Sequence, residues 1–168
     1  MVFVLHAYIQ LVDEELGIIQ GGTYAMTDKG LEMLVGGLTD DELIAHPLRE
    51  EWSVAQNVHH LADVHMQYLI RLKHTLTEQN PVIKPFHQND WAETADAVGA
   101  QIGPSLGIIL GVHARFVTLI ESLNDVDWLR EGINPTSGPF TVESLANKIA
   151  SHGEAHLAQI RQALAAME

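Results

Sequence analysis

Residues 150–160, ASHGEAHLAQI, carry two histidines four residues apart, His152 and His156. Four residues of α-helix turn a side chain by about 400°, so the two imidazoles lie on one face, one turn apart. That face continues through Leu145, Ile149 and Ile160, which makes it the inward face of an amphipathic helix. Buried imidazoles need partners. These two either bind a metal ion or are satisfied by hydrogen bonds to the protein or to water.

The spacing differs from the H-E-x-x-H motif of zinc proteases. In that motif the glutamate follows the first histidine directly, whereas here Glu154 stands two residues after His152, about 200° round the helix. We therefore predict that Glu154 faces solvent, and we assign it no role as a general base.

A second histidine-rich segment, WSVAQNVHHLADVHM, spans residues 52–66. One further inward histidine from this helix would complete a three-nitrogen site with an open position, as expected of a catalytic zinc-type centre. His59, His60 and His65 cannot all face the same way, and their spacing leaves the choice among them open. His65 shares the apolar face of Val58 and Leu61, so it also fits a core position.

Composition limits the class of protein. The chain has 168 residues, 46% hydrophobic and 18% charged, which predicts one globular domain over residues 1–168. It has no cysteine, so thiolate ligands and a cysteine nucleophile are excluded. The net charge of −13 argues against nucleic acid and anionic membranes as partners. The first residues, MVFVLHAYIQLVDEEL, lack the basic start of a signal peptide, and we expect a cytoplasmic protein.

Capping patterns and prolines delimit the predicted helices. Ser53 and Gln56 form a capping box that begins a helix reaching about Thr77. Pro81 and Pro85 follow, and they begin a long connection to about residue 104 with one short helix around DWAETAD.

Two further long helices are predicted after this connection. Ser105 is the expected cap of the first, which runs to about Ser122. The turn-rich segment GINPTSGPF precedes the second, which Thr141 caps and which ends near Ala166. An earlier helix falls within residues 2–37, where several glycines leave its limits open, and little of the chain reads as strand. The prediction is an all-α, four-helix bundle with a long crossover loop and short extra helices.

The segment from Trp52 to Glu93 resembles the corresponding part of the DinB/YfiT-like family, and specifically its YfiT group. The shared features are W-S-x-x-Q-x-x-H-H-L-A-D-x-H-M, then N-P-x-I-K-P followed by an aromatic residue, and the terminal H-x-x-x-H. The resemblance extends over roughly residues 38–164. It implies a four-helix bundle with a metal site of three histidines, one on the second bundle helix and two on the fourth, which correspond here to His60, His152 and His156.

This sequence also departs from the family pattern. Residues 1–37 match poorly. Family members often carry an aromatic residue before the first histidine of the last helix, where this chain has Ser151. Gly153 follows His152, which costs a helix about 1 kcal/mol relative to alanine and suggests close packing.

The resemblance implies a hydrolase or a transferase of a low-molecular-weight thiol such as bacillithiol or mycothiol. A divalent ion held by three neutral imidazoles can polarise a carbonyl, acidify bound water or bind a thiol. The ion is expected to be Zn or Ni, with Co, Fe or Mn as alternatives. A third alternative is a non-catalytic metal-binding bundle that acts through a protein partner. We also expect a small-molecule substrate and a homodimer.

Four other polar residues are candidates for roles near the ion. Gln56 and Asn57 could orient a substrate, and Lys148 could meet its anionic group, or all three are polar surface residues. Asp63 is either a partner that fixes the ring of His60 or an acid that pairs with His59.

Overall fold

The computed structural model describes residues 22–168, with side chains described from residue 29. His6 and the other residues before 22 lie outside this range. The helix predicted within residues 2–37 therefore lies outside it up to residue 21. The described elements, in chain order, are α1 Gly22–Val35, α2 Asp40–Ile44, α3 Val54–Thr77, α4 Gln88–Ala92, α5 Gly103–Glu121, α6 Asp125–Trp128, β1 Glu131–Asn134, β2 Gly138–Thr141 and α7 Val142–Ala165.

Four long helices pack as a bundle, as the sequence predicted. Helix α3 packs between α5 and α7, while α1 packs against α5 and α7 on the opposite side. Two apolar clusters fill the interior. The first joins Leu31 of α1 to the beginning of α3, the beginning of α5 and the end of α7. The second joins the later part of α3 to Phe116 of α5 and Leu145 of α7.

The composition of the two clusters gives the direction of the helices. The beginning of α3 shares a cluster with the end of α7, so these two helices are antiparallel. The beginning of α3 also shares that cluster with the beginning of α5, so α3 and α5 are parallel neighbours. A parallel pair needs a connection that returns along the length of the bundle. Residues 78–102, with the short helix α4, provide it, which confirms the predicted crossover.

Ser53 and Thr141 cap α3 and α7 as predicted, and both caps are capping boxes. The Ser53 hydroxyl accepts from the Gln56 N–H, and the Thr141 hydroxyl accepts from the Ser144 N–H. The prediction for α5 was wrong. That helix begins at Gly103, with a proline in its first turn and no side-chain cap, and Ser105 lies inside the helix. The Ser105 hydroxyl is 2.8 Å from Nδ1 of His59, so its polar group serves helix packing instead of capping.

The segment predicted as an irregular turn forms a short antiparallel hairpin. Strands β1 and β2 pair from Glu131 opposite Thr141 to Asn134 opposite Gly138. Ile133 also exchanges backbone hydrogen bonds with residues 81 and 83, which attaches the hairpin to the crossover. Arg130 donates to the carbonyls of Thr75 and Glu78, which gives these backbone groups at the end of α3 hydrogen-bond partners. Alternation of apolar and polar residues did not reveal these strands because four residues are too few to show it.

Gly132 of β1 leaves no room for a side chain, and we predict that Gly132→Ala destabilises the protein. A Cβ at this position would lie 2.5 Å from Cζ of Phe140 and 3.1 Å from Oγ1 of Thr75. Overpacking of this kind costs about 1–3 kcal/mol. Urea unfolding followed by circular dichroism measures the loss.

The matched control is Gly111→Ala in α5, where an added Cβ meets nothing within 4 Å. Alanine there is expected to leave the free energy of unfolding unchanged or to raise it by up to about 1 kcal/mol. Equal stability of the two variants would contradict the packing argument.

Among the described residues, α5 is the one helix whose length and composition would allow it to cross a membrane. A core helix of a soluble bundle passes the same test. Helix α5 buries Ile109, His113 and Phe116 against the other helices, but only 22% of its apolar window is buried in the bundle. The cytoplasmic location stays a prediction.

Candidate metal centre

Three histidines from α3 and α7 converge in the layer between the two apolar clusters. Nε2 of His152 lies 3.3 Å from Nε2 of His60 and 3.2 Å from Nε2 of His156. One nitrogen from each ring lies within 4.8 Å of the other two. Nitrogens bound at 2.0–2.1 Å around a tetrahedral ion stand about 3.3 Å apart, so the two separations from His152 match those of one ion.

Burial keeps the three imidazoles neutral. Loss of solvation, together with the nearby His156 and His152, lowers the pKa of His60 to about 3. Burial likewise lowers the pKa of His152 to about 3, with contributions from His156 and Lys148. Burial also lowers the pKa of His156 to about 4. A neutral imidazole offers a lone pair to a metal without first losing a proton.

Asn57 orients the ring of His156. Its Oδ1 accepts a hydrogen bond from Nδ1 of His156 at 2.8 Å, and its Nδ2 donates to the Ser53 carbonyl at 3.0 Å. The second bond fixes which end of the amide faces the histidine. Because Nδ1 of His156 carries the proton, Nε2 is left with its lone pair directed at the cluster, which is the usual arrangement of a metal-binding histidine.

Trp52 forms an aromatic wall of the site. Its ring lies 4.6 Å from the ring of His60 and is nearly parallel to the ring of His156 at 6.1 Å. On its other side, Trp52 borders an open cleft that also includes Arg49, Glu50 and Asp90.

The other candidate residues have different surroundings. Asn57 joins the site, but Gln56 is engaged elsewhere: its Nε2 donates to the Ala92 carbonyl at 2.9 Å and attaches α4 to α3. Asp63 lies near Asp96 and His59, and burial raises its pKa. Its predicted roles towards His59 or His60 stay predictions. Lys148 is exposed at the edge of the site.

The remaining histidines fall into two groups. His59 is buried between Ser105 and the carbonyl of Gly99, with the latter at 3.0 Å. His65 and His113 are also buried, and they bond to each other at 2.6 Å. Exposed positions are occupied by His46, His74 and His87, and Glu154 is exposed as predicted.

The donor set suits a divalent metal ion. The converging group contains, among the described residues, three histidines and no carboxylate. Three neutral ligands leave the charge of the ion undiminished, and a tetrahedral or larger coordination shell would keep at least one open position. A site closed by four protein ligands would instead indicate a structural ion.

A helical bundle with three histidines converging in its core is the architecture of a bundle-type metalloprotein. The chain belongs to the DinB superfamily, whose family model matches residues 24–160.

The similar proteins described next are named as metal-dependent hydrolases. A protein of Geobacillus thermodenitrificans named "Putative metal-dependent hydrolase" is 42% identical over 135 residues, which cover 77% of this chain and 74% of that one. The YfiT protein of Bacillus subtilis, with the same description, is 35% identical over 134 residues, covering 79% and 75%. A solved structure of that protein superposes with a TM-score of 0.82 at 29% identity over 91% of each chain. Its title describes a probable metal-dependent hydrolase with an unusual four-helix bundle topology.

Replacing Asn57 with leucine is expected to weaken zinc binding by about 10–100-fold, because His156 loses the acceptor that orients its ring. Asn57→Asp keeps an oxygen at that place and is expected to bind zinc at least as tightly as the wild type. Competition with a chromophoric chelator measures both affinities on folded protein. Equal weakening of zinc binding in the two variants would show that the hydrogen bond to Nδ1 of His156 does not determine the affinity.

Proposed function

We propose that this protein is a divalent-metal-dependent hydrolase whose ion is held by His60, His152 and His156. The observation that carries the proposal is the convergence of three neutral imidazoles, with Nε2 of His152 at tetrahedral spacing from both of the others. The names of the similar proteins support the same activity. The ion is Zn or Ni, with Co, Fe or Mn as alternatives, because imidazole nitrogens suit all of them.

A bound ion would polarise a carbonyl oxygen of the substrate and acidify a water molecule in its open position. The protein's own residues provide orientation and shielding. Asn57 holds the ring of His156, and Trp52 excludes water from one side of the histidines. Lys148, exposed near His152, would attract an anionic group of the substrate.

The proposed substrate is a small molecule. The net charge of −13 opposes the phosphate backbone of nucleic acids. The same open position would also suit the sulfur of a low-molecular-weight thiol, so transfer of such a thiol is the competing reaction. The homodimer remains a prediction.

The test compares three samples on one panel of esters, amides, and thiols paired with an electrophile. The samples are zinc-loaded protein, chelator-treated protein, and the His152→Ala/His156→Ala double variant. Hydrolysis by the loaded protein alone supports the proposal. Thiol consumption without hydrolysis would replace it with a transferase.

A third result would indicate a non-catalytic bundle. In that case none of the three samples would convert any compound of the panel. Chelation would lower the stability of the protein, and no anion or thiol would bind the ion. That set of results would overturn the hydrolase and direct attention to protein partners.

A further inference from the structure

Two neighbouring histidines at the metal centre each have one buried ring nitrogen without a hydrogen-bond partner. These nitrogens are Nδ1 of His152 and Nε2 of His65. The two rings are 5.6 Å apart at an angle of 57°. In the same site, the rings of His60 and His152 are 5.2 Å apart and bring two nitrogens to 3.3 Å. The gap between His65 and His152 is therefore one that a hydrogen bond, or one bridging water, can span.

His65 is held from its other side by α5. Its Nδ1 lies 2.6 Å from Nε2 of His113, and both side chains are almost fully buried, with exposures of 1% and 2%. A hydrogen bond between two imidazole nitrogens contains one proton, so one ring donates and the other accepts. The tautomer of His65 thus determines what its free Nε2 can do: it is either a bare acceptor or an N–H donor.

This inference rests on the proposed function, because a metal ion bound to His152 determines which tautomer His65 adopts. A neutral His152 that binds an ion through Nε2 carries its proton on Nδ1, and a buried N–H needs an acceptor. Nε2 of His65 can accept it if the proton of His65 is on Nδ1. His65 then donates to Nε2 of His113, and each hydrogen bond from His152 through His65 to His113 has one donor and one acceptor.

We propose that His65 is a positioning residue of the metal centre. Its Nε2 accepts the Nδ1 proton of His152, directly or through one water, and His113 holds its ring in that orientation. The role matches that of Asn57 towards His156. Both acceptors are neutral, so neither reduces the positive charge of the ion as a carboxylate would.

The first test is zinc affinity by chelator competition in two matched variants. His65→Leu and His59→Leu each remove one buried histidine from the first half of α3. Loss of an outer hydrogen-bond partner typically weakens metal binding by 10–100-fold, which is the effect expected of His65→Leu. His59 bonds to Ser105 and Gly99, away from the centre, so His59→Leu is expected to bind zinc as the wild type does. Equal affinities in the two variants would overturn the proposal.

Rescue and spectroscopy separate positioning from packing and from direct ligation. His65→Gln offers an amide oxygen as acceptor and is expected to recover most of the lost affinity. Failure to recover any would mean that the ring itself, and not its acceptor nitrogen, is required. The cobalt-substituted His65→Leu protein is expected to keep the visible absorption bands of the wild type. Bands of a lower coordination number would show that His65 is a ligand, which also overturns the proposal.

The decisive measurement needs no variant. Long-range proton–nitrogen correlation spectra of the zinc-loaded wild type report the tautomer of each histidine. We expect His65 to be protonated on Nδ1, and an Nε2-protonated His65 would overturn the inference even if the variants fail to fold. A wild type that takes up no metal would overturn the metal centre and this inference together. Normal zinc binding with His65→Leu unaffected would overturn the inference alone.

Discussion

Alanine at any one of His60, His152 or His156 is expected to remove the metal from the purified protein. Each variant deletes one of three nitrogens in a site where no carboxylate is at hand to replace it among the described residues. Loss of an outer partner alone weakens metal sites by 10–100-fold, so loss of a ligand should weaken this one by at least about 100-fold. Elemental analysis of tag-free protein should fall from about one equivalent per chain to background.

His74→Ala is the matched control for this experiment. His74 is an exposed histidine near the end of α3, where its Nδ1 pairs with Glu78, and its removal should leave the metal content unchanged. Full metal retention by His60→Ala would show that α3 supplies no ligand. Retention by the His152→Ala/His156→Ala double variant would place the ion elsewhere.

The metal-free protein is expected to lose stability steeply as the pH falls from about 6.5 towards 4. The ordinary histidine pKa is 6.5, and the folded protein lowers it to about 3 for His60 and His152 and to about 4 for His156. Between these values the unfolded chain binds protons that the folded chain does not. Each such group therefore lowers the free energy of unfolding by up to about 1.4 kcal/mol for every unit of pH lost.

Denaturant unfolding of chelator-treated protein at several pH values measures this effect. The His152→Ala/His156→Ala variant lacks two of the three groups, so its free energy of unfolding should fall less steeply over the same range. His65, whose pKa burial lowers well below 6.5, remains in both proteins, but the variant removes two histidines whose charge helps to lower that pKa, which reduces the pH dependence of the variant further. Parallel pH dependences in the two proteins would mean that these histidines are solvated in the folded state.

The helices could be predicted from local sequence because their signals are local. The capping residues Ser53 and Thr141 and the periodic apolar faces gave α3 and α7 nearly to the residue. The hairpin was missed because its strands are four residues long. The wrong cap at Ser105 has a tertiary cause: a residue that looks like a cap by type bonds to a histidine 46 positions earlier.

The choice of His60 could not be predicted from spacing. His59, His60 and His65 are all buried, with exposures of 8%, 3% and 1%, so burial does not distinguish them. What separates them is the helix that each one faces. His59 and His65 face α5, whereas His60 faces α7. Which helix each histidine faces depends on how α5 and α7 are arranged around α3. Local sequence does not give this arrangement, and before the structure only the family resemblance indicated it.

The two halves of the centre lie far apart in the chain, since His60 and His152 are separated by 92 residues. Closing so long a loop in an unfolded chain carries an entropic cost, and a single metal contact must work against it. The ion therefore cannot organise early folding; the bundle has to assemble first and bind the ion afterwards. Stabilisation that is absent from the folding transition state slows unfolding and leaves the folding rate unchanged. Metal should thus lengthen the lifetime of the native protein, and with it the resistance to proteolysis where cleavage follows global unfolding.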